Sequence, residues 1–298
     1  MPSRSSPRGP FPPRCASHAF VSAATILAAA TLSFAVIGCE PPPPKSALGY
    51  TADAKRAYDN AMLDFDAHNW AESQTLMREV RRKYSYSKYA RLAELRIADA
   101  DYAQEKFADA IREYRQFIHD HRSDQDDVAY ARSRIAESDY REIPDSILMP
   151  AAEERDQAAV VDAYKELRGF LHDYPSAKES ARVRELLADV TARLVRHELF
   201  VARFYLDKDN YEAAVNRIQF ALRNYGGVST DGNDANTAAG RAAGLEPEAL
   251  VLLGETYLKM HKWSDARHAF LGVVQRYPQS PLIVQAQNYL DYMAQRGV

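Results

Sequence analysis

A cluster of histidine and aspartate side chains is the first place in this 298-residue sequence where chemistry could occur. His119 and His121 are followed closely by Asp124, Asp126 and Asp127, and imidazoles with carboxylates are common metal ligands. However, residues two apart on a helix point to different sides, and the cluster falls at the boundary between two repeated units. The spacing therefore favours a hydrated loop, and we expect no metal site.

Two further motifs suggest chemistry by residue type but not by spacing. The run from Asp231 to Asp234 suggests a calcium loop, yet it lacks the glycine at position six and the glutamate at position twelve. His197 and Glu198 are neighbours in a helical run, where consecutive side chains diverge around the axis. No glycine-rich phosphate loop, nucleophile elbow or zinc-ligand spacing is present. We therefore predict no catalytic residue and no enzyme activity.

Cys39 is the residue with a definite chemical role, and the segment before it gives the reason. A basic, proline-rich start precedes an apolar run over residues 19–38, the arrangement of an export signal. The run is about 20 residues long, so an uncleaved anchor helix is the alternative reading. Its end, Val36-Ile37-Gly38-Cys39, resembles a bacterial lipobox. That resemblance implies cleavage before Cys39 and a lipid on its thiol. Apart from this covalent lipid we expect no cofactor.

The expected cleavage divides the chain into three parts. Residues 1–38 are a signal peptide, residues 39–50 an acylated cysteine with a proline-rich tether, and residues 51–298 the folded region. Glu40 follows the cysteine in place of aspartate, which in lipoproteins is consistent with passage to the outer membrane. We expect a protein anchored there by lipid and facing the periplasm. Its net charge of −3 gives no reason to expect a nucleic-acid partner.

The folded region repeats one pattern: a small residue, an aromatic nine residues later, and a second small residue three further on. Small residues 12 apart, on either side of a turn, let two antiparallel helices cross closely. The four copies are Ala61-Trp70-Ser73, Ala98-Phe107-Ala110, Ala202-Tyr211-Ala214 and Gly254-Trp263-Ala266. This pattern is typical of tetratricopeptide repeats. It predicts an all-α fold, a right-handed solenoid of about five tetratricopeptide-like helix pairs with a C-terminal capping helix.

The array divides into N-terminal units over residues 51–127 and C-terminal units over residues 128–298. The third unit is irregular, because Ala151 lies 12 residues before Ala163 but Pro150 would break a helix there. We therefore predict its helices at 128–140 and 157–174, with an inserted loop at 144–156. The fourth unit has helices at 177–206 and 211–225, followed by a loop at 226–244. The fifth unit spans 246–277, and the capping helix 281–294.

Two stretches of the fourth unit are more specific than a generic repeat. Residues 196–205, which read Arg-His-Glu-Leu-Phe-Val-Ala-Arg-Phe-Tyr, and residues 211–217 closely resemble the family of the outer-membrane protein assembly factor BamD. The resemblance extends over residues 54–278. It implies docking on the periplasmic POTRA domains of the barrel protein BamA, beside other assembly-complex lipoproteins. It also implies assistance to nascent outer-membrane β-barrel proteins as they insert.

The resemblance also implies two binding regions. Asn216 and Arg217 match the family's Asn-Arg pair, and Arg217 would contact a BamA-like partner. Residues three and four away on the same helix are Ala213, Ala214, Phe220 and Ala221, which predicts a charge left free for a partner. A solvated surface arginine is the alternative. Aromatic side chains of the N-terminal units would form a groove for substrate peptides, namely Tyr58, Tyr89 and Tyr102, although each is also a candidate core residue.

Two other functions fit the same fold. One is a tetratricopeptide-repeat lipoprotein for pilus, secretin or other cell-envelope assembly. The other, from a different class, is a regulator of a peptidoglycan-remodelling enzyme or an enzyme with an unrecognised site. The specific stretch at 196–205 favours outer-membrane protein assembly over both.

Overall fold

Helices account for all the regular structure in the part of the chain that the computed structural model describes, residues 47–145, 150–226 and 245–298. There are eleven α-helices and no strand in these ranges. The helices are α1 (Ala47–Asp66), α2 (Trp70–Lys83), α3 (Lys88–Ala103), α4 (Phe107–Asp120), α5 (Gln125–Arg141), α6 (Ala158–Asp173), α7 (Ser180–Leu206), α8 (Tyr211–Tyr225), α9 (Leu245–Lys259), α10 (Trp263–Arg276) and α11 (Ile283–Gln295).

Consecutive helices pack in pairs, each pair against the next. The pairs are α1 with α2, α3 with α4, α5 with α6, α7 with α8 and α9 with α10, and α11 packs on α10. The predicted all-α repeat fold with a final helix is therefore confirmed. Residues 45–298 form one compact unit. The predicted signal peptide, Cys39 and the loop at 227–244 lie outside the described residues.

The predicted small residues lie at the contacts between paired helices. In the first pair, the Ser73 hydroxyl donates a hydrogen bond of 3.1 Å to the Ala61 carbonyl on the facing helix. Such a bond requires the two backbones to be close. The small residues of all four copies are buried. The large residue four positions past each second small residue is also completely buried, namely Met77, Tyr114, Ile218 and Phe270.

The turns of these four pairs share one backbone conformation. A residue two or three positions past the end of the first helix has a φ of 55–60° in each pair; these residues are His68, Glu105, Asp209 and His261. The next N–H then bonds to a carbonyl five residues earlier, as in Asn69 to Asp64 at 2.8 Å and Lys262 to Tyr257 at 2.9 Å. This is the Schellman arrangement that ends a helix. Four similar turns without glycine explain the repeated spacing.

The third unit departs from this pattern, as Pro150 predicts. The α5 helix ends at Arg141, and the described residues between it and α6, 142–145 and 150–157, contain a single 3₁₀ turn, Ala152–Glu154. The Arg155 side chain donates to the carbonyls of Pro144 at 2.7 Å and Pro150 at 2.6 Å, and His197 Nδ1 donates to the Glu153 carbonyl at 2.7 Å. These bonds attach the described parts of the insert to itself and to α7.

The long helix α7 joins the third and fourth units through two hydrophobic clusters. Its first half contributes Val183, Leu186 and Val190 to a cluster with α6 residues such as Phe170. Its second half contributes Leu199 and Ala202 to a cluster with residues of α8 and α9. The 27 residues of α7 therefore belong to two cores, which is why the helix exceeds the usual repeat length.

A pair of glycine substitutions tests the close crossing. A Cβ atom at Gly254 would lie 2.5 Å from two atoms of the Phe270 ring. That ring cannot easily move, because it stacks on Tyr289 with centroids 4.7 Å apart. Gly254→Ala should therefore lower the free energy of unfolding by about 1–2 kcal/mol despite alanine's higher helix propensity. Urea denaturation followed by circular dichroism measures the change.

Gly169→Ala is the matched control, since Gly169 lies in α6 and a Cβ atom there has nothing within 4 Å. This change should raise the free energy of unfolding by about 0.5–1 kcal/mol, as expected for a helix interior. Adding Phe270→Leu to Gly254→Ala should recover part of the loss. Equal effects of the two glycine substitutions would contradict the close-crossing account.

Candidate protein-binding surfaces

The first candidate surface lies where the first helices of units one to three meet, on α1, α3 and α5. We call it the first-helix face and define it by Tyr58, Arg96, Tyr102, Tyr130 and Arg134. Arg96 Nε donates to the Tyr58 hydroxyl at 3.4 Å, which joins α3 to α1. The Arg134 guanidinium stacks over the Tyr102 ring, with its carbon 3.7 Å from the centroid, which joins α5 to α3. The face therefore combines aromatic rings with two cations.

The predicted groove tyrosines are all half-buried and packed against neighbours. The Tyr58 and Tyr89 rings contact each other with centroids 5.7 Å apart. The Tyr102 ring contacts the Phe107 ring edge to face, with centroids 5.5 Å apart. Each tyrosine thus contributes to the core and keeps part of its surface in solvent. Their role in binding peptides stays a prediction.

A buried carboxylate, Asp99, holds this face together. Only 4% of Asp99 is exposed, and its Oδ1 accepts hydrogen bonds from the hydroxyls of Tyr114 and Tyr130. Its Oδ2 accepts from Arg96, while Arg134 Nε lies 3.9 Å from Oδ1. Donors from α3, α4 and α5 therefore converge on one carboxylate and join the second unit to the third.

The surrounding groups have pKa values that suit these bonds. Burial, reinforced by the Asp99 charge, raises the pKa of the Tyr114 and Tyr130 hydroxyls, so both remain protonated donors. Burial alone would lower the pKa of Arg96, but the Asp99 charge and the hydrogen bond to Tyr58 raise it. The two hydroxyls and the Arg96 guanidinium therefore stay protonated at neutral pH and remain hydrogen-bond donors to Asp99.

Sequence reasoning missed this network. The signal was available in the run Ala98-Asp99-Ala100-Asp101, where two carboxylates interrupt a stretch of alanines in α3. A buried acid needs a partner, and Arg96 is three residues away on the same helix. The contribution of Tyr130 and Arg134, from the next unit, could not be read from local spacing.

The second candidate surface carries Asn216 and Arg217 on α8. Asn216 is exposed, and 43% of the Arg217 side chain is exposed. However, Arg217 Nη1 lies 3.3 Å from Glu198 Oε2 on the facing helix α7. The expectation of a free charge was therefore wrong, because it considered only residues of the same helix. The single contact leaves other guanidinium donors available, since arginine has five.

Exposed phenylalanines lie on α7 and α8, the two helices that carry Glu198 and Arg217. Phe200 and Phe204 are one turn apart on α7, with 40% and 54% of their surface exposed, and Phe220 on α8 is 40% exposed. Aromatic side chains and arginine are the residues enriched in protein interfaces. The helices α7 and α8 therefore present the composition of a protein-binding surface.

The histidine and aspartate cluster is divided among other partners. His121 Nε2 lies 2.6 Å from Glu94 Oε2, and Arg91 pairs with both Asp124 and Asp127 at 2.9 Å. Within the described residues, no group of three His, Cys, Asp or Glu side chains is arranged to hold a metal ion. A search of the same residues for a helix long and apolar enough to cross a membrane also finds none.

Comparison with known families identifies the group to which this repeat array belongs. The family model described as outer membrane lipoprotein YfiO matches residues 51–239, more than half of the chain. The chain belongs to the YfiO outer membrane lipoprotein family. A tetratricopeptide-repeat model also matches residues 248–280, which contain most of α9 and all of α10. The two matches together cover the repeat units predicted from the small-residue spacing.

Curated proteins similar to this YfiO-family chain share one name. The outer membrane protein assembly factor BamD of Caulobacter vibrioides is 25% identical over 269 residues, covering 90% of this chain and 81% of that protein. BamD of Neisseria meningitidis serogroup A is 24% identical over 242 residues, covering 78% and 82%. BamD of Xylella fastidiosa strain 9a5c is 24% identical over 173 residues, covering 56% and 58%. The resemblance to this group is thereby confirmed.

Replacing Asp99 tests the role of its network. Asp99→Asn removes the charge that Arg96 and Arg134 face and should lower the free energy of unfolding by about 3 kcal/mol. Asp101→Asn is the control, because Asp101 is also buried but accepts its hydrogen bond, at 2.8 Å, from the neutral amide of Gln74. An asparagine oxygen can accept that bond, so Asp101→Asn should lower the free energy of unfolding by less than about 1 kcal/mol. Urea unfolding measures both changes. Equal losses of unfolding free energy in the two variants would contradict a special stabilising role for the Asp99 network.

Proposed function

We propose that this protein is a lipid-anchored periplasmic scaffold of the machinery that assembles β-barrel proteins in the outer membrane. The match to the YfiO family over residues 51–239 carries the proposal. The BamD name of the curated relatives supports the assembly role. A repeat array suits this work, because stacked helix pairs present extended surfaces for other polypeptides.

The proposal places the C-terminal units against a BamA-like barrel protein, at one of its POTRA domains. Arg217 would make a bidentate contact with a carboxylate of that partner through the donors that Glu198 does not occupy. Phe200 and Phe204, exposed on the adjoining helix, would supply the apolar contact that surrounds such a pair. Other assembly-complex lipoproteins would join the same assembly.

The N-terminal units would receive segments of nascent barrel proteins. The first-helix face offers partly exposed tyrosine rings for an aromatic peptide, and Arg96 and Arg134 offer positive charge beside them. Because both arginines already contact acids of this chain, the rings rather than the charges would carry the recognition.

Co-purification from detergent-solubilised membranes tests the docking site. Arg217→Gln should lower recovery of a POTRA-containing barrel protein at least tenfold, since a hydrogen bond to a charged group contributes about 1.5–3 kcal/mol. Glutamine is preferable to glutamate, which would place a second carboxylate beside the buried Glu198. Glu198→Gln should leave recovery unchanged or increased, because it releases Arg217.

Arg223→Gln is the matched control, an exposed arginine on α8 with no carboxylate within ion-pair distance among the described residues. It should leave recovery at the wild-type level. Wild-type recovery with Arg217→Gln, or an equal loss with Arg223→Gln, would contradict the docking site. Recovery of secretin or pilus components in place of the barrel protein would favour the other envelope-assembly function.

Metabolic labelling tests the anchor. A clickable fatty acid fed to cells should label the wild-type protein, and Cys39→Ser should abolish labelling. The thiol at position 39 is the predicted attachment point and the only cysteine outside the predicted signal peptide. Label retained by the serine variant would contradict acylation at Cys39. The uncut anchor helix would instead give an unlabelled wild-type protein of full length.

A further inference from the structure

An excess of positive charge lies at the junction of the first two units. Five cations occur within eleven residues, at the end of α2 and the start of α3, and all five are exposed: Arg78, Arg81, Arg82, Lys83 and Lys88. Glu79 is the one acidic residue in this stretch. We call the stretch from residue 78 to residue 88 the basic turn.

The basic turn differs from neighbouring parts of the array in how its cations are paired. Arg91, Arg112, Arg132 and Arg193 each lie within 3.3 Å of an aspartate oxygen. None of the five cations of the basic turn lies within 4.0 Å of a carboxylate oxygen anywhere in the described ranges. Its two lysines contact only tyrosine rings, at 5.4 Å for Lys83 and 5.2 Å for Lys88. The cluster therefore retains its charge for an external anion.

An exposed tyrosine lies within the basic turn. Tyr86 is 97% exposed, whereas Tyr84, two residues earlier, is buried. An aromatic ring with a polar tip is energetically suited to the boundary between water and lipid, where tyrosine is enriched. A basic cluster around an exposed tyrosine matches the surface of a membrane rather than an acidic peptide groove, because no cleft surrounds the ring.

The basic turn also lies beside the point where the chain enters the array. Since α1 and α2 are antiparallel neighbours, the start of α1 is next to the end of α2, and the Tyr50 and Tyr84 rings are 5.4 Å apart. Helix α1 starts eight residues after Cys39, and a fully extended chain of that length spans at most about 29 Å. An acyl group on Cys39, as proposed above, would keep this end of the array near the bilayer.

We propose that the basic turn binds anionic phospholipid headgroups of the leaflet that holds the anchor. Each basic residue close to an anionic bilayer strengthens binding by about fivefold, so four or five together outweigh the single Glu79. Tyr86 enters the headgroup region between them. The contact fixes which end of the first helix pair faces the membrane, an orientation that a proline-rich tether alone does not set.

Vesicle binding of an unacylated protein tests the proposal apart from the anchor. The chain from residue 39 onward carrying Cys39→Ser has no lipid, so its result is independent of whether Cys39 is acylated. We expect it to float with vesicles of 70% phosphatidylcholine and 30% phosphatidylglycerol, and to bind pure phosphatidylcholine at least tenfold more weakly. Raising the salt from 0.05 to 0.5 M should release it. Equal binding to both vesicles would overturn the proposal.

Two charge-matched variants locate the contact. Replacing Arg81, Arg82, Lys83 and Lys88 by glutamine should weaken binding at least tenfold. Replacing four exposed cations of the C-terminal units by glutamine, Lys208, Arg223, Lys259 and Lys262, should change it less than twofold. Circular dichroism of each variant checks that the helices are intact. A larger loss with the C-terminal set would overturn the proposal, as would unchanged vesicle binding accompanied by loss of a protein partner.

A single-site probe reports the depth of Tyr86. The unacylated chain contains no other cysteine, so Tyr86→Cys and Val284→Cys each accept one environment-sensitive fluorophore. Both positions are exposed, at 97% and 60%, but Val284 lies on α11 at the other end of the array. On anionic vesicles, the fluorescence emission of the label at position 86 should shift to shorter wavelength, and that of the label at position 284 should not. A shift at 284 alone, or equal shifts, would place another surface on the membrane.

Discussion

The close approach of paired helices is the constraint on which the rest of this structure depends. It requires two small residues 12 positions apart, a turn between them that ends the first helix in a left-handed residue, and one large side chain beside the contact. The bond from the Ser73 hydroxyl to the Ala61 carbonyl shows how near the backbones come. Four of the five pairs repeat this geometry, and each pair packs against the next, so Tyr58, Arg96 and Arg134 meet across unit boundaries.

Regions of the array differ in how completely their charged side chains are paired within the chain. Around Asp99, charges are paired and partly buried, so they join units and offer little to a partner. At Glu198 and Arg217 the pairing is partial, since the acid is buried and 43% of the arginine side chain is exposed. At the basic turn the cations have no acid within reach among the described residues. The degree of internal pairing therefore decides which charges are available for binding.

Most of the fold could be predicted because its cause is local and periodic. Ala202 and Ala214 lie either side of one turn, and Pro150 excludes a helix by its own geometry, so spacing alone located the helices and the irregular third unit. The charged contacts could not be predicted in the same way. Glu198 and Arg217 are 19 residues apart on facing helices, and Asp99 binds hydroxyls 15 and 31 residues away. Such pairs depend on the relative rotation of packed helices, which periodicity does not specify.

Site-specific photo-crosslinking in cells tests the central claim most directly. A photoreactive amino acid at Asn216, exposed beside Arg217, reports what contacts α8 without altering the Glu198 pair. The account predicts a crosslink to a barrel protein with POTRA domains in the outer-membrane fraction, and none from an exposed control position such as Gln116 on α4. Crosslinks from position 216 to pilus or secretin components, with none to a barrel protein, would contradict it.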